Sequence, residues 1–308
     1  MAEKIVIIAD PGIDGAFAIA LALFDPNLEV LGIGATAGNI SAQQATKNIH
    51  ILVDQLDPPR WPRLGAAPEI SYDINGVPLH GPTGLGNTDY PAAVLHNILG
   101  SEKLVADIVK QNPNEVTVVC LGPLTVIARA FDIYPDLAGQ IKRLVCLGGT
   151  VHEPGNAGPV SEFHFACDPA SARQVLHSGA PVILIPLDCT RKVLFSPKDL
   201  LDLPSESSKA SKFLRQIVPY GIAATANMYG IEGFHLKDVL GVAAVSLPGI
   251  IETKQVAVDV EVRGELTRGM TVIDQRPWAQ TPPNVELAVH VDGQGVRDYI
   301  NGVLRFRE

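Results

Sequence analysis

The chain has 308 residues, 46% apolar and 19% charged, which is enough hydrophobic material for a large core and argues against disorder. A net charge of -9 with no cluster of Lys and Arg disfavours a nucleic-acid partner and suits small neutral substrates or cations. The longest apolar stretch, Ala16 to Phe24, is too short to cross a bilayer, and the opening MAEKIVIIAD lacks a signal-peptide cleavage pattern, so a soluble cytoplasmic protein with no membrane partner is expected.

In chain order, the β-branched run Ile5 to Ile8 reads as a strand that meets a turn carrying Asp10, Pro11, Gly12, Asp14 and Gly15 and then a long apolar helix. Two acids at the carboxyl end of a first strand lie where open α/β sheets bind ligands. Alternatively, Asp14 caps the helix and Asp10 makes an Asx turn. Leu28 to Ile33 is a second strand. Gly32 to Ala37 formally fits a GxGxxA dinucleotide fingerprint, but it follows the second strand rather than the first, and a nicotinamide dehydrogenase would rest on Gly32 and Gly34 alone. An amphipathic helix follows, then a proline-rich stretch with Trp61 and a glycine-dense loop carrying His80.

A helix from Ser101 to Gln111 leads to a strand, Glu115 to Leu121, and a helix over Val126 to Phe131. The pattern recurs at Leu144 to Gly149 and Val182 to Asp188, with a polar loop between them that holds His152, Glu153, Asn156, Ser161, Glu162 and His164. Asp168 reads as a helix N-cap. Residues 196 to 245 look helical and partly irregular, with Asp238 heading an apolar helix, and Thr253 to Thr271 alternates with a break at Gly264. Strands alternating with helices predict one α/β domain over residues 1–308. Its sheet would be open, mainly parallel and Rossmann-like, with helices on both faces, a small antiparallel extension and ligand groups gathered on one edge. The four cysteines are widely spaced with no CxxC pair, and Cys120 and Cys146 are expected reduced and packed in strands.

DPGID near the amino terminus, AGN at 37–39, HGPTGLG at 80–86, LGPLT at 121–125, GNAGPVSEF at 155–163, LDCT at 187–190 and KD at 237–238 together resemble the inosine-uridine nucleoside hydrolase family, in order and spacing along nearly the whole chain. The resemblance implies cleavage of the N-glycosidic bond of purine or pyrimidine ribonucleosides to ribose and base, a small-molecule nucleoside partner, and a homodimer or homotetramer. It implies a calcium ion held by Asp10, the Thr125 backbone carbonyl and Asp238, with Asp10 also the base toward water. Asp14, Asn39, Asn156 and Glu162 would bind ribose, and Asp238 would serve metal and ribose together. Such a set suits the chemistry, because a ribosyl oxocarbenium-like transition state is positive and carboxylates stabilise it.

The departures from that pattern cluster. The hallmark DxDPGxDD reads Ile8 at its first acid and Gly15 at its last, the Asn after Glu-Phe is His164, and the His before the late Asp is Lys237. Losing a carboxylate at Gly15 takes one ligand from an ion that wants roughly 6 to 8 oxygens, so calcium is expected to bind weakly or not at all. Lys237 could replace the ion by placing its ammonium between Asp10 and Asp238, or could point to solvent. Proton donation to the departing base falls to His80, His152, His164, His235 or Lys237, and His80 and His164 could instead hydrogen-bond the substrate. Base selectivity is expected near Tyr220, Asn227 and Tyr229. The rival to an enzyme is a ribose- or nucleoside-binding homologue with impaired catalysis; Asp10 favours the first, Ile8 and Gly15 the second.

Overall fold

The computed structural model describes residues 2–91, 98–204, 208–276 and 278–305. Its strands are β1 (Glu3–Ala9), β2 (Leu28–Ala35), β3 (Arg63–Gly65), β4 (Val116–Leu121), β5 (Arg143–Leu147), β6 (Val182–Ile185), β7 (Leu194–Phe195), β8 (Phe234–His235), β9 (Ile251–Val256), β10 (Val258–Val260), β11 (Thr271–Ile273) and β12 (Val285–Val291). The helices are α1 (Ile13–Phe24), α2 (Ala42–Leu56), α3 (Val77–His80), α4 (Ser101–Gln111), α5 (Thr125–Ile133), α6 (Phe163–Cys167), α7 (Pro169–Leu176), α8 (Leu187–Thr190), α9 (Pro197–Asp202), α10 (Lys209–Tyr229), α11 (Lys237–Ser246) and α12 (Gly293–Arg305).

The main sheet runs β3-β2-β1-β4-β5-β6-β12-β9 and is parallel except for the last pair. Because neighbouring residues of a strand point to opposite faces, β1 sends Ile5, Ile7 and Ala9 into one core and Val6 and Ile8 into the other. Burial on both faces is why β1 from Ile5 onward, and β4 apart from Thr117, read as apolar runs rather than alternating ones. Helix α1 is apolar all round for a related reason: it is enclosed by β2, α2, α10, α11 and α12. This is a single α/β domain with helices on both faces.

The carboxyl half differs from expectation in detail. The alternating stretch splits, with β9 closing the main sheet as an antiparallel edge on β12, while β10 pairs with β11 in a separate ribbon. Gly264 lies in the connection between β10 and β11. β12 and α12 carry no sequence-based expectation. Yet β12 slots in parallel to β6, and Tyr299 of α12 donates its hydroxyl to Asp25 Oδ2 (2.8 Å), docking the terminal helix beside α1. Cys120 and Cys146 are buried partners on β4 and β5. Among the described residues no helix is long and apolar enough to cross a membrane.

Candidate active site

The parallel strands end together, and the segments leaving β1, β2, β4, β5 and β6 meet at that edge. Asp10, directly after β1, is fully buried. The Asn39 N–H, from the segment after β2, donates to its Oδ2 (2.6 Å), while Oδ1 has no partner. Two glycines make room: a Cβ on Gly38 would overlap the Asp10 carboxylate, and one on Gly122, after β4, would stand 3.1 Å from Oδ1. Burial pushes the Asp10 carboxyl up to about 7; Asp14 adds to the rise, while His164 and the Asn39 N–H oppose it.

Asp14 is not the cap of α1. The N-cap is Gly12, without a side-chain bond, and Asp14 sits in the first turn, buried, its Oδ1 accepting from the Gly15 N–H (3.0 Å). The orphan N–H of Ile13 is satisfied instead by Nδ1 of His80 (3.0 Å), whose ring lies where a Gly12 side chain would be. Since Nδ1 accepts there, it carries no proton, and its 3.9 Å approach to Asp14 Oδ1 is a contact with a neutral ring rather than an ion pair. Burial holds the His80 pKa below the ordinary histidine value, in keeping with that tautomer.

The loop after β5 supplies Asn156, Glu162 and His164. Glu162 is the N-cap of α6: its Oε2 accepts from the backbone N–H groups of His164 (2.8 Å) and Phe165 (3.3 Å). Asn156 folds back so that its Oδ1 accepts from the Phe163 N–H (2.8 Å). His164 directs Nδ1 at the Leu147 carbonyl (3.1 Å), so that nitrogen is the donor and Nε2 is left for other partners. Burial works to lower its pKa, but the Glu162 and Asp10 carboxylates outweigh it and hold it above the ordinary value. The loop itself is tied down from α8: Asp188 accepts from the N–H groups of Val151 (2.8 Å), His152 (2.8 Å) and Glu153 (3.3 Å). Arg191 adds an ion pair to Glu153 (2.7 Å) and a bond to the Gly155 carbonyl (3.3 Å).

Asp238, in the first turn of α11, is buried and its pKa lies well above the carboxylate range, from burial first and then from the Asp14 and Asp10 carboxylates. A Cβ on Gly15 would stand 3.0 Å from Asp238 Oδ2. Thr125 opens α5 with its hydroxyl shared between Tyr72 Oη (2.7 Å) and Asp168 Oδ2 (2.6 Å); Asp168 also caps α7, as its sequence position predicts.

These residues surround a cavity of about 560 Å3, within the range of small-ligand pockets. Asp14, Asn39, Asn156, Glu162, His164, His80, His235, Lys237 and Asp238 all line it; Asp10 and Thr125 lie outside its wall. His152 is exposed and does not line it, and of the three residues expected at the base only Tyr229 does. Sequence reasoning missed the rest of the apolar side, Leu79, Met228, Ile231 and Phe234, and missed Arg191. A helix-facing pattern at Thr225, Met228 and Tyr229 was the available signal, whereas nothing marks Arg191. His235 has a buried Nδ1 without a partner, and burial, then Lys237 and Arg191, lower its pKa.

The ammonium of Lys237 does not bridge Asp10 and Asp238. Lys237 is half-buried at the cavity and makes no ion pair with a described residue. The donor set does not fit calcium either. Among the described residues no three His, Cys, Asp or Glu side chains converge as a metal shell. Of the acid oxygens nearby, Asp10 Oδ2 and Asp14 Oδ1 are already accepting backbone N–H groups, against the six to eight oxygens the ion takes.

An α/β sheet whose carboxyl edge holds an acid-floored, apolar-walled cavity has the make-up of a glycosidase: carboxylates for a polyol and its cationic transition state, apolar surface for the leaving group. Residues 5–298 match the model of the inosine-uridine preferring nucleoside hydrolases, and the chain belongs to that family. It is similar to the probable uridine nucleosidase 2 of Oryza sativa, 33% identical over 98% of this chain and 93% of that one. It is also 32% identical to the non-specific ribonucleoside hydrolase RihC of Escherichia coli over 99% of each. Among solved structures, a plant nucleoside hydrolase superposes with a TM-score of 0.90 at 29% identity over 100% of both chains. The purine-preferring ribonucleoside hydrolase of Gardnerella vaginalis gives 0.88 at 27% over 99% and 100%.

Proposed function

We propose that this chain hydrolyses the N-glycosidic bond of ribonucleosides, releasing ribose and the free base. One observation carries the reading: Asp14, Asn39, Glu162 and Asp238 face the same cavity as Met228, Tyr229 and Phe234, so polyol-binding and base-sized apolar surfaces meet across one space.

In this reading Asp14, Asn39, Asn156, Glu162 and His164 hold the ribose, His80 fixes the turn that presents Asp14, and the carboxylates stabilise the positive charge that grows on the sugar as the bond to the base breaks. Asp10 is the base toward water: Oδ1 has a free lone pair, and a carboxyl pKa of about 7 suits proton abstraction near neutrality. Asp238 faces the ribose floor as a hydrogen-bonding group. Lys237, next to Asp238 in the chain, and His235 line the same cavity, so an ammonium and an imidazole are at hand for the departing base. Thr125 acts from beneath, as the linked start of α5. The oligomer is a homodimer or homotetramer in this reading, by family resemblance.

The test is a panel of purine and pyrimidine ribonucleosides scored for free base and reducing sugar, with Asp14→Asn and Asp10→Asn as controls. Turnover abolished by both variants supports the reading. Tight nucleoside or ribose binding without turnover in the native chain would instead favour a binding homologue, which the missing carboxylate at Gly15 beside Asp238 motivates.

A further inference from the structure

We infer that the cation balancing the acid floor of this cavity belongs to the chain itself: the Lys237 ammonium supplies, from the cavity wall, the positive charge that a divalent ion would otherwise bring, and the site assembles without metal. The inference rests on the reading of the cavity as a ribose pocket.

Four buried carboxyl groups, Asp10, Asp14, Glu162 and Asp238, are gathered here. Ionised together they are costly in a low-dielectric interior unless something positive offsets them, and the raised pKa values of Asp10 and Asp238 register that cost. A dication is the wrong answer on the geometry, because among the described residues no three acid or imidazole side chains converge on one point, and the place from which another carboxylate could reach is Gly15, 3.0 Å from Asp238 Oδ2 at its would-be Cβ. A side-chain cation is the remaining candidate, and Lys237 has the features of one. It is the first residue of α11, where a positive charge opposes the helix dipole and is unfavourable for the helix itself. It makes no ion pair with a described residue that would account for that placement. It lines the cavity, and its charge acts on Asp238 and on the three imidazoles there, His80, His164 and His235. Arg191 on the same wall is committed to Glu153, and the His164 ring acts on Glu162 and Asp10, which leaves Asp238 to Lys237.

The experiment has two readouts that do not need turnover. Purified native chain is assayed for bound metal by mass spectrometry and melted with excess calcium or with chelator. Ribose binding is then titrated in chelator for the native chain, Lys237→Gln and Lys237→Arg. The inference expects no stoichiometric calcium and a melting temperature indifferent to calcium and chelator. It also expects ribose affinity lowered about tenfold or more by Lys237→Gln and largely kept by Lys237→Arg. Gly15→Asp combined with Lys237→Gln should gain a calcium-dependent rise in melting temperature, by the linkage between binding and stability. Stoichiometric calcium on the native chain, a melting temperature lowered by chelator, or unchanged ribose affinity in Lys237→Gln would overturn it. Should ribonucleosides prove neither bound nor cleaved, the functional reading fails by that result, while metal content and melting still decide the present inference.

Discussion

The carboxylate of Asp10 occupies the space where a side chain on Gly38 would begin. The loop after β2 can therefore lie against the loop after β1 only while residue 38 has no Cβ, and this closeness lets the Asn39 N–H reach Oδ2. Gly38→Ala should push the acid aside by a fraction of a side chain. A displacement of that order costs about 10²-fold in kcat/KM when the residue is part of a reacting array, and the overpacking should cost about 1–3 kcal/mol of stability. Steady-state kinetics and thermal melting of the variant check both; unchanged kcat/KM would remove Asp10 from the proposed machinery.

Asp188 is the second point of leverage, because it ties down the loop that carries Asn156 and Glu162 without lining the cavity. Burial works to raise its pKa, but the N–H groups of Val151, His152 and Glu153 outweigh it and hold the carboxyl below its ordinary value. The folded pKa is thus lower than the unfolded one of about 4. Its stabilisation is then complete above that unfolded value and is lost as pH falls through the folded pKa. Asp188→Ala should destabilise by about 1–3 kcal/mol near neutrality, with KM raised more than kcat is lowered, and the gap from the native chain should close in acid. Asp188→Asn, which keeps acceptor oxygen, should lose less. Melting curves across pH test the sign directly.

Much of this architecture is legible before any coordinates. β1, β4, β5 and β6 announce themselves because both faces are buried, and the glycines and acids that end them mark the edge where the cavity opens. β12 is less legible: its exposed His290 and partly exposed Glu286 dilute the apolar run, and only the partner strands on either side give it a place. Single residues with two tasks are harder still. Glu162 reads as a ligand from its motif, but nothing local says that the same carboxylate caps α6. Asp10 reads as an Asx-turn or ligand-binding acid; that it is fully buried follows from Gly38 and Gly122 in the segments after the neighbouring strands, a relation no linear pattern contains. Arg191 is silent for the same reason.

A control lies far from the cavity. Tyr299→Phe removes the hydroxyl that donates to Asp25 and leaves a buried carboxylate oxygen without that donor. The expected cost is about 1–3 kcal/mol, read in thermal or urea unfolding, with kcat and KM unchanged.

Truncating the apolar wall should separate base from sugar. Phe234→Ala removes a ring that lines the cavity and packs edge-on against His80 at a centroid distance of 5.9 Å. The ratio of kcat/KM between purine and pyrimidine nucleosides should move by about tenfold or more, with inhibition by free ribose less affected. Equal losses for all substrates would instead place Phe234 in support of His80 alone.

The two halves of the cavity are drawn from the chain in different ways. Asp14, Asn39 and Glu162 come from stretches that are remote in sequence, whereas Thr225, Met228, Tyr229, Ile231, Phe234 and His235 fall within a single run that ends α10 and enters β8. The first group can change only if several strand ends change in concert. The second is a cassette: one short segment, recombined or mutated as a block, could re-cut the outer wall while the acid-bearing scaffold stays as it is.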